Sequence, residues 1–461
     1  MMEELLYEKK NGFEGISDKE KAEIFDFCAE YSEAITLAKT EREFSDLAIS
    51  LLDKAGFVEL GSKERLVPGD RVYSVNRGKG VVAFVIGSEP VENGTNIVGA
   101  HIDSPRLDLK PNPLFDDGGM AYFKTHYYGG IRKYQWLNIP LSLHGVVVKR
   151  DGTQISVSIG EDKDDPIFCI SDLLPHLAQL QVEKKVGAAF EAEKLNVIVG
   201  NIPCDEVEKN KLKYGVMKLL NEKYGICEAD FITSELELVP AFEAKDLGLD
   251  RSMIAAYGHD DRVCAYTALR AVIETKKPAK TAVCLLVDKE EIGSEGNTGM
   301  QSRYFENTLA KVCSLCKENY NDLVLRECLS NSACLSADVG AAYDANYAEV
   351  YEKNNSCFVN EGLLLTKYTG ARGKSGASDA NAEFVAKVCG LLDKAGVTWQ
   401  TGELGRTDIG GGGTIACYVA NLDIEVLDAG VPLLGMHSPY EVAGKFDIYM
   451  AYKGYKAFMN N

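Results

Sequence analysis

The stretch AVCLLVDKEEIGSEGNTGM, Ala282–Met300, sets five apolar residues, Val283 to Val287, directly ahead of Asp288, Glu290 and Glu291. A run with no polar face to show water reads as a strand covered on both sides, as in a parallel sheet flanked by helices. Carboxylates gathered at the end of such a strand need a cation or a proton to make their charge tolerable.

Four more stretches repeat that design, an apolar run followed by a histidine or an acid. IVGAHIDSPRLD presents His101 and Asp103, YGHDDRVCAY presents Asp260 and Asp261, LSADVGAAY presents Asp338, and LLGMHSPYEVA presents His437. Each has an ordinary reading by itself: a hydrogen-bonded histidine, an aspartate capping a helix, a pair of glutamates in a solvated turn. Together they are harder to dismiss, because sites in open α/β sheets form at the carboxyl edge of the strands. Two imidazoles with three carboxylates, one of them bridging, suit a pair of zinc-like ions better than magnesium. Paired cations about 3.5–4 Å apart polarise a carbonyl and lower the pKa of a water. One acid must then stay off the metals to take the proton. Adjacent glutamates can point different ways, so one of Glu290 and Glu291 can ligate while the other acts as base.

The 461-residue chain is long enough for two domains, and its 46% hydrophobic and 26% charged content is ordinary for a soluble protein. A net charge of -19 argues against nucleic acid or an anionic membrane as partner. No window of about 18 apolar residues is present, so no membrane-spanning helix is expected. MMEELLYEKKNGFEGISDKEK has no apolar segment behind basic residues; no leader is expected, and with it a cytoplasmic location. The 13 cysteines then read as reduced thiols. Cys313 and Cys316 form one C-x-x-C, with Cys328 and Cys334 following, but small buried residues are the better reading than a zinc knuckle.

Helical spacing from Lys19 to Ala55 precedes the short β-rich pieces RVYSVN, GVVAFVIG and TNIVGAHIDS. From about Pro105 to Phe231, apolar and polar residues alternate around Gly and Asp turns, with a helical patch at 171–182. Beyond Ile232 buried strands alternate with helices again: ITSELELVPAF, a helix from Asp261, TAVCLLV, a helix near Met300 to Glu318, ACLSADV, a helix from Ser378, and TIACYVA. The fold expected is α/β, a mostly parallel sheet flanked by helices over 1–105 and 233–461, interrupted by a β-rich insert over 106–232. TDIGGGGTIA, Thr407–Ala416, lacks the Gly-Lys-Ser/Thr ending of a phosphate loop, so its glycines read as permitting close backbone approach. No G-x-S-x-G occurs.

These stretches, in this order, resemble the aspartyl aminopeptidase and vacuolar aminopeptidase I family of di-zinc exopeptidases. GAHIDSPRLDLKP, DKEEIGSEGNTGMQS, SADVGAAYDANYAEVY, GASDANAEFVAKV and MHSPYEVA carry the likeness, which covers nearly the whole chain. The resemblance implies His101 and Asp338 as terminal ligands, Asp260 as the bridging carboxylate, and Glu291 and His437 completing the set. It implies Glu290 as general base and Asp103 as the acceptor that fixes the tautomer of His101. It further implies two divalent ions, Zn2+ before Co2+ or Mn2+, and peptides as substrates. The inserted domain would be the dimerisation domain, with dimers assembled into a dodecamer.

One departure bears on substrate choice. Members specific for acidic residues carry histidines where this chain has Ala341 and Asp344. A carboxylate beside the first-residue pocket disfavours acidic side chains, so neutral or broad specificity is expected, with Arg372 and Lys374 as the candidate compensating cations. Alternatives are a related di-zinc carboxypeptidase or deacylase, a silent shell-forming peptide-binding protein, and a nucleotide binder using Gly410 to Gly413.

Overall fold

The computed structural model describes residues 10–461; residues 1–9 of the stretch read for a leader lie outside them. The chain divides into two compact units. One holds the described residues through Ser104 together with Ala244–Met436 and Glu441–Asn461; the other holds Pro105–Glu243 and His437–Tyr440.

The first unit is built on a nine-stranded sheet. Its spatial order is Val58–Glu59, Arg71–Val75, Val81–Val85, Thr281–Val287, Thr95–His101, Ala333–Ser336, Glu425–Gly430, Leu363–Thr366 and Trp399–Thr401. The four central strands, Thr281–Val287 through Glu425–Gly430, run parallel. Every residue of Thr281–Val287 and of Thr95–His101 is buried, as their unbroken apolar runs require. Successive side chains serve opposite faces. Ala282, Cys284 and Leu286 join one core with Val263, Phe384 and Ile448 from helices His259–Glu274, Ala382–Lys394 and Lys445–Met459. Val283, Leu285 and Val287 join a second core with Phe305, Leu309 and Val324 from helices Tyr304–Cys316 and Asp322–Ser330. Helices thus cover both faces. A smaller five-stranded sheet of the same unit includes Met253–Ala256, which leads into the helix starting at His259.

The second unit has a six-stranded sheet in the order Gln154–Ile159, Leu141–Val148, Ser234–Pro240, Arg106–Asp117, Met120–Tyr128 and Asn196–Gly200. All its pairings are antiparallel.

Some expectations need correction. ITSELELVPAF does not return the chain to the parallel sheet: Ser234–Pro240 lies inside the six-stranded sheet, paired on both edges, and the unit ends at Glu243 rather than near 232. TIACYVA is no strand, since Ala416–Ala420 is a short helix and the neighbouring strand is Glu425–Gly430. A seven-residue apolar run does not by itself separate the two states. The second unit also carries a 14-residue helix, Lys211–Tyr224, that its alternating pattern did not announce. Residues 171–182 hold only a turn of 3-10 helix and the four-residue helix Gln179–Val182. In the glycine-rich loop the close approach is to neighbouring backbone. A Cβ on Gly410 would sit 1.6 Å from the Leu404 carbonyl oxygen, so the absent side chain admits neighbouring backbone. Cys313 and Cys328 are buried in the second core, and among the described residues no metal-competent donor group contains a cysteine.

Candidate metal centre

Three of the five motifs meet because their strands are neighbours. Strand Thr95–His101 lies between Thr281–Val287 and Ala333–Ser336, parallel to both. His101 therefore ends the middle strand, while Glu290, Glu291 and Asp338 follow the ends of the strands beside it. Asp260 and Asp261 arrive from the first turn of helix His259–Glu274, where the helix dipole favours negative charge.

Two sets of donor atoms result, each with its atoms within 4.8 Å of one another: His101 with Asp260 and Glu291, and His101 with Asp261 and Asp338. The His101 ring is 1% exposed. Its Nδ1 lies 3.0 Å from the Asp103 carbonyl oxygen, which can only accept, so Nδ1 carries the proton. Its Nε2 faces Asp260 Oδ1 at 3.1 Å and Glu290 Oε2 at 3.8 Å. Burial works against a charge on this ring, yet the carboxylates of Asp103 and Asp260 overcome it and raise the pKa well above the ordinary value.

Asp103 does more than orient the histidine. Its Oδ1 lies 3.3 Å from His101 Nδ1. Oδ1 also accepts the Glu290 N–H at 3.1 Å, and Oδ2 accepts the Glu291 N–H at 3.2 Å. One buried carboxylate thus holds the turn that carries both glutamates. Asp260 is fixed through its backbone: its N–H donates to Glu441 Oε2 at 3.0 Å, and Ser104 Oγ donates to its carbonyl at 2.6 Å.

His437 is placed differently. It belongs to the second unit, where its Nδ1 donates to the Gly130 carbonyl at 2.9 Å and its backbone takes φ 64°. Neither donor set includes it. With Nδ1 protonated, Nε2 carries the lone pair that a metal ligand needs.

Asp261, presented in the sequence beside Asp260 but given no role, joins the second donor set. It is fully buried, and the groups that face its carboxyl are the Cys264 thiol and the backbone and ring of His101. Burial pushes its pKa well above the ordinary value, as it does for Asp338. A charged acid in such a place is costly unless a cation faces it. The next residue, buried Arg262, does not serve: its guanidinium donates to the carbonyls of Ala38, Tyr257 and Gly258. One imidazole with four clustered carboxylates fits divalent metal binding. The only signal for Asp261 was its place directly after Asp260. His259, in the same motif, belongs to neither donor set. It is buried and neutral, with its pKa lowered by burial to about 3, and it accepts from Tyr31 Oη through Nδ1 at 2.7 Å.

Residues 35–459 match the family profile described as aminopeptidase I zinc metalloprotease (M18). The chain is similar to a curated relative from Clostridium acetobutylicum, a probable M18 family aminopeptidase 1, with 52% identity over 100% of both chains. It is similar in structure to an M18-family aminopeptidase from Thermotoga maritima, with TM-score 0.95, 46% identity, and coverage of 99% of this chain and 100% of that one. The fold alone is shared with the mApe1 dodecamer of S. cerevisiae, at TM-score 0.76 and 23% identity over 94% of this chain and 96% of that one. The chain therefore belongs to the M18 family of aminopeptidase I zinc metalloproteases and is a metal-dependent aminopeptidase.

Proposed function

We propose that this aminopeptidase works with two divalent ions, zinc first and cobalt or manganese as alternatives, for which His101, Asp260, Glu291 and Asp338 would be ligands; His437, the remaining ligand that the family resemblance implies, lies in the second unit and in neither donor set. Asp260 would be the carboxylate shared between the ions, and Glu290 would be the general base. The observation that carries this reading is the split between the two glutamates. Glu291 contributes a donor atom to the set with His101 and Asp260, while Glu290 stands beside that set, 3.8 Å from His101 Nε2. When bound, the ions polarise the scissile carbonyl and lower the pKa of a water. Glu290, part-exposed beside them, takes the proton of the attacking water and returns it to the departing amine. Asp103 holds the tautomer of His101 and the backbone of the glutamate turn. Buried Asp261 adds negative charge on the Asp338 side of the centre.

The test separates the two glutamates. Glu290→Gln keeps its metal while kcat falls by roughly 10²–10⁴-fold. Glu291→Gln loses a charged ligand, so bound metal drops and excess zinc or cobalt restores part of the turnover. Mass spectrometry of bound metal and peptide turnover on both variants read this out. The opposite pattern reverses the roles, and unchanged metal and turnover in both remove the assignment.

The substrates proposed are peptides with neutral first residues, cleaved at least as well as those beginning with Asp or Glu. Support comes from Asp344, whose Oδ1 accepts the Asn346 N–H at 2.8 Å and is thereby held as an acceptor. Lys374, a candidate compensating cation, is already engaged by Asp379 at 3.1 Å and lies over the Tyr368 ring. Comparing kcat/KM for Leu-, Lys- and Asp-led peptides decides it, and a clear preference for Asp overturns it.

The second unit is proposed as the dimerisation domain, with dimers building a dodecamer in the cytoplasm. Leu177, Leu180 and Val182 in this unit are 67%, 77% and 79% exposed, an apolar strip of the kind that marks interfaces. No helix among the described residues is long and apolar enough to cross a membrane.

A further inference from the structure

The loop that carries Glu290 and Glu291 is closed at its base by a side-chain clasp that the mechanism above does not use. Lys289, the residue ahead of the glutamates, has φ 68°. Residues other than glycine occupy that left-handed region only when their surroundings hold them there. The reversal at Lys289 lets the chain leave the buried strand Thr281–Val287 and turn at once into the 3-10 turn of Glu290–Ile292.

Thr298 supplies the holding groups. Its hydroxyl has one proton, which goes to Asp288 Oδ2 at 2.6 Å, and its oxygen accepts from Lys289 Nζ at 2.6 Å. Both contacts are charge-assisted. The Thr298 carbonyl also accepts the Asp288 N–H at 3.3 Å, so the two ends of the loop are joined through backbone as well. Asp288 and Thr298 are 2% and 3% exposed. Lys289 Nζ lies 3.6 Å from Asp288 Oδ2, leaving the hydroxyl as the bridge between a buried acid and its neighbouring cation. Within the loop, the Ser294 N–H donates to the Lys289 carbonyl at 2.7 Å and the Gly293 N–H to the Glu290 carbonyl at 2.9 Å. Asp103 grips the turn from the His101 side through the Glu290 and Glu291 N–H groups. The Asp288–Thr298–Lys289 bridge grips it from behind.

We infer that Thr298 is a positioning residue for the reaction: its hydroxyl locks Lys289 in the left-handed conformation and thereby sets where the Glu290 carboxylate stands. This rests on Glu290 acting as the base. Displacement of a reacting group by about 1 Å costs on the order of 10²-fold in rate, so the clasp acts on kcat rather than on substrate affinity.

The test uses the zinc-loaded full chain and a peptide with a neutral first residue. Thr298→Val keeps shape and loses the hydroxyl; kcat falls by about 10- to 100-fold, while KM and bound zinc stay within about twofold. Thr298→Ser restores the hydroxyl and brings kcat back to within about threefold of the parent. A Thr298→Val enzyme with parental kcat overturns the inference. So does a Thr298→Ser enzyme as slow as Thr298→Val, because the methyl group would then be what matters. Zinc loss in Thr298→Val overturns it too, by placing the effect on Glu291. Should Thr298→Val not fold, Lys289→Gly and Lys289→Ala serve instead. Both lose the ammonium, but glycine takes the left-handed conformation without strain, so Lys289→Gly retains the higher kcat. Equal kcat in the two overturns the inference. Parental turnover in Glu290→Gln identifies a different failure, that of the base assignment itself.

Discussion

Asp428 lies in the strand Glu425–Gly430, 4% exposed, with Oδ1 accepting the Thr414 hydroxyl at 2.7 Å. Burial raises its pKa from 3.8 to about 6, against the opposing hydrogen bonds of Thr414 and Ser336. A carboxyl with a raised folded-state pKa holds its proton better in the fold than in the open chain. Its contribution to stability is therefore complete below about pH 4 and lost as pH rises through about 6. Asp428→Asn keeps an oxygen for Thr414 and removes the titration. The variant should be the more stable protein above pH 6, by as much as roughly 3 kcal/mol, and should lose the slope between pH 4 and 6. Urea unfolding midpoints from pH 4.5 to 7.5 check this. At this scale the sequence was legible where a charge followed an apolar run, which brought forward His101, Asp260, Asp261, Glu290, Glu291 and Asp338 together; their separate roles came only from the family resemblance. His259 and Thr298 did not come forward, because their parts depend on which atoms face them. Tyr31, far earlier in the chain, is the partner of His259, and no spacing rule reaches it.

At the scale of elements, the centre depends on strands that approach without intervening side chains. A Cβ on Gly430, at the end of strand Glu425–Gly430, would lie 1.7 Å from the Asp338 carbonyl oxygen. Gly430→Ala must push the Asp338 backbone away, since a backbone oxygen cannot rotate aside as a side chain can. The expected result is a folded protein with reduced bound metal and at least about tenfold lower kcat, by analogy with other displaced catalytic groups. Metal analysis beside circular dichroism measures it. Strand identity was readable where runs were long and wholly apolar, as in Thr281–Val287. The misreadings fell on short or mixed patterns. The helix Lys211–Tyr224 buries only Leu220, so it has little of the apolar stripe that identifies a helix in sequence. Ser234–Pro240 was correctly a strand but was given to the wrong sheet, because its alternation carries no record of its partners.

For the whole molecule, the apolar strip of the second unit yields an assembly prediction. Light scattering at micromolar concentration should find at least a dimer. Leu180→Asp combined with Val182→Asp should shift the chain towards monomer with little change in thermal midpoint, since both side chains face solvent in the single chain. A variant that stays assembled would remove this strip from the interface. The α/β character, the presence of a β-rich segment and the clustering of acids at strand ends were all legible from composition and pattern. Which strands sit side by side was not, because the sheet order runs against the chain order.

That order has a consequence during synthesis. Strand Thr95–His101 is all buried, and its neighbours begin at Thr281 and Ala333. A ribosome adding about 5–20 residues per second needs roughly ten to forty seconds to reach the first of them. Through that interval the nascent chain carries a strand with neither of its native edges paired, while the 139 residues from Pro105 to Glu243 emerge and fold into a sheet of their own. His101, which both donor sets share, is thus made early and completed late, and fragments ending before Thr281 should partition into the insoluble fraction on expression, whereas the second unit expressed alone should not.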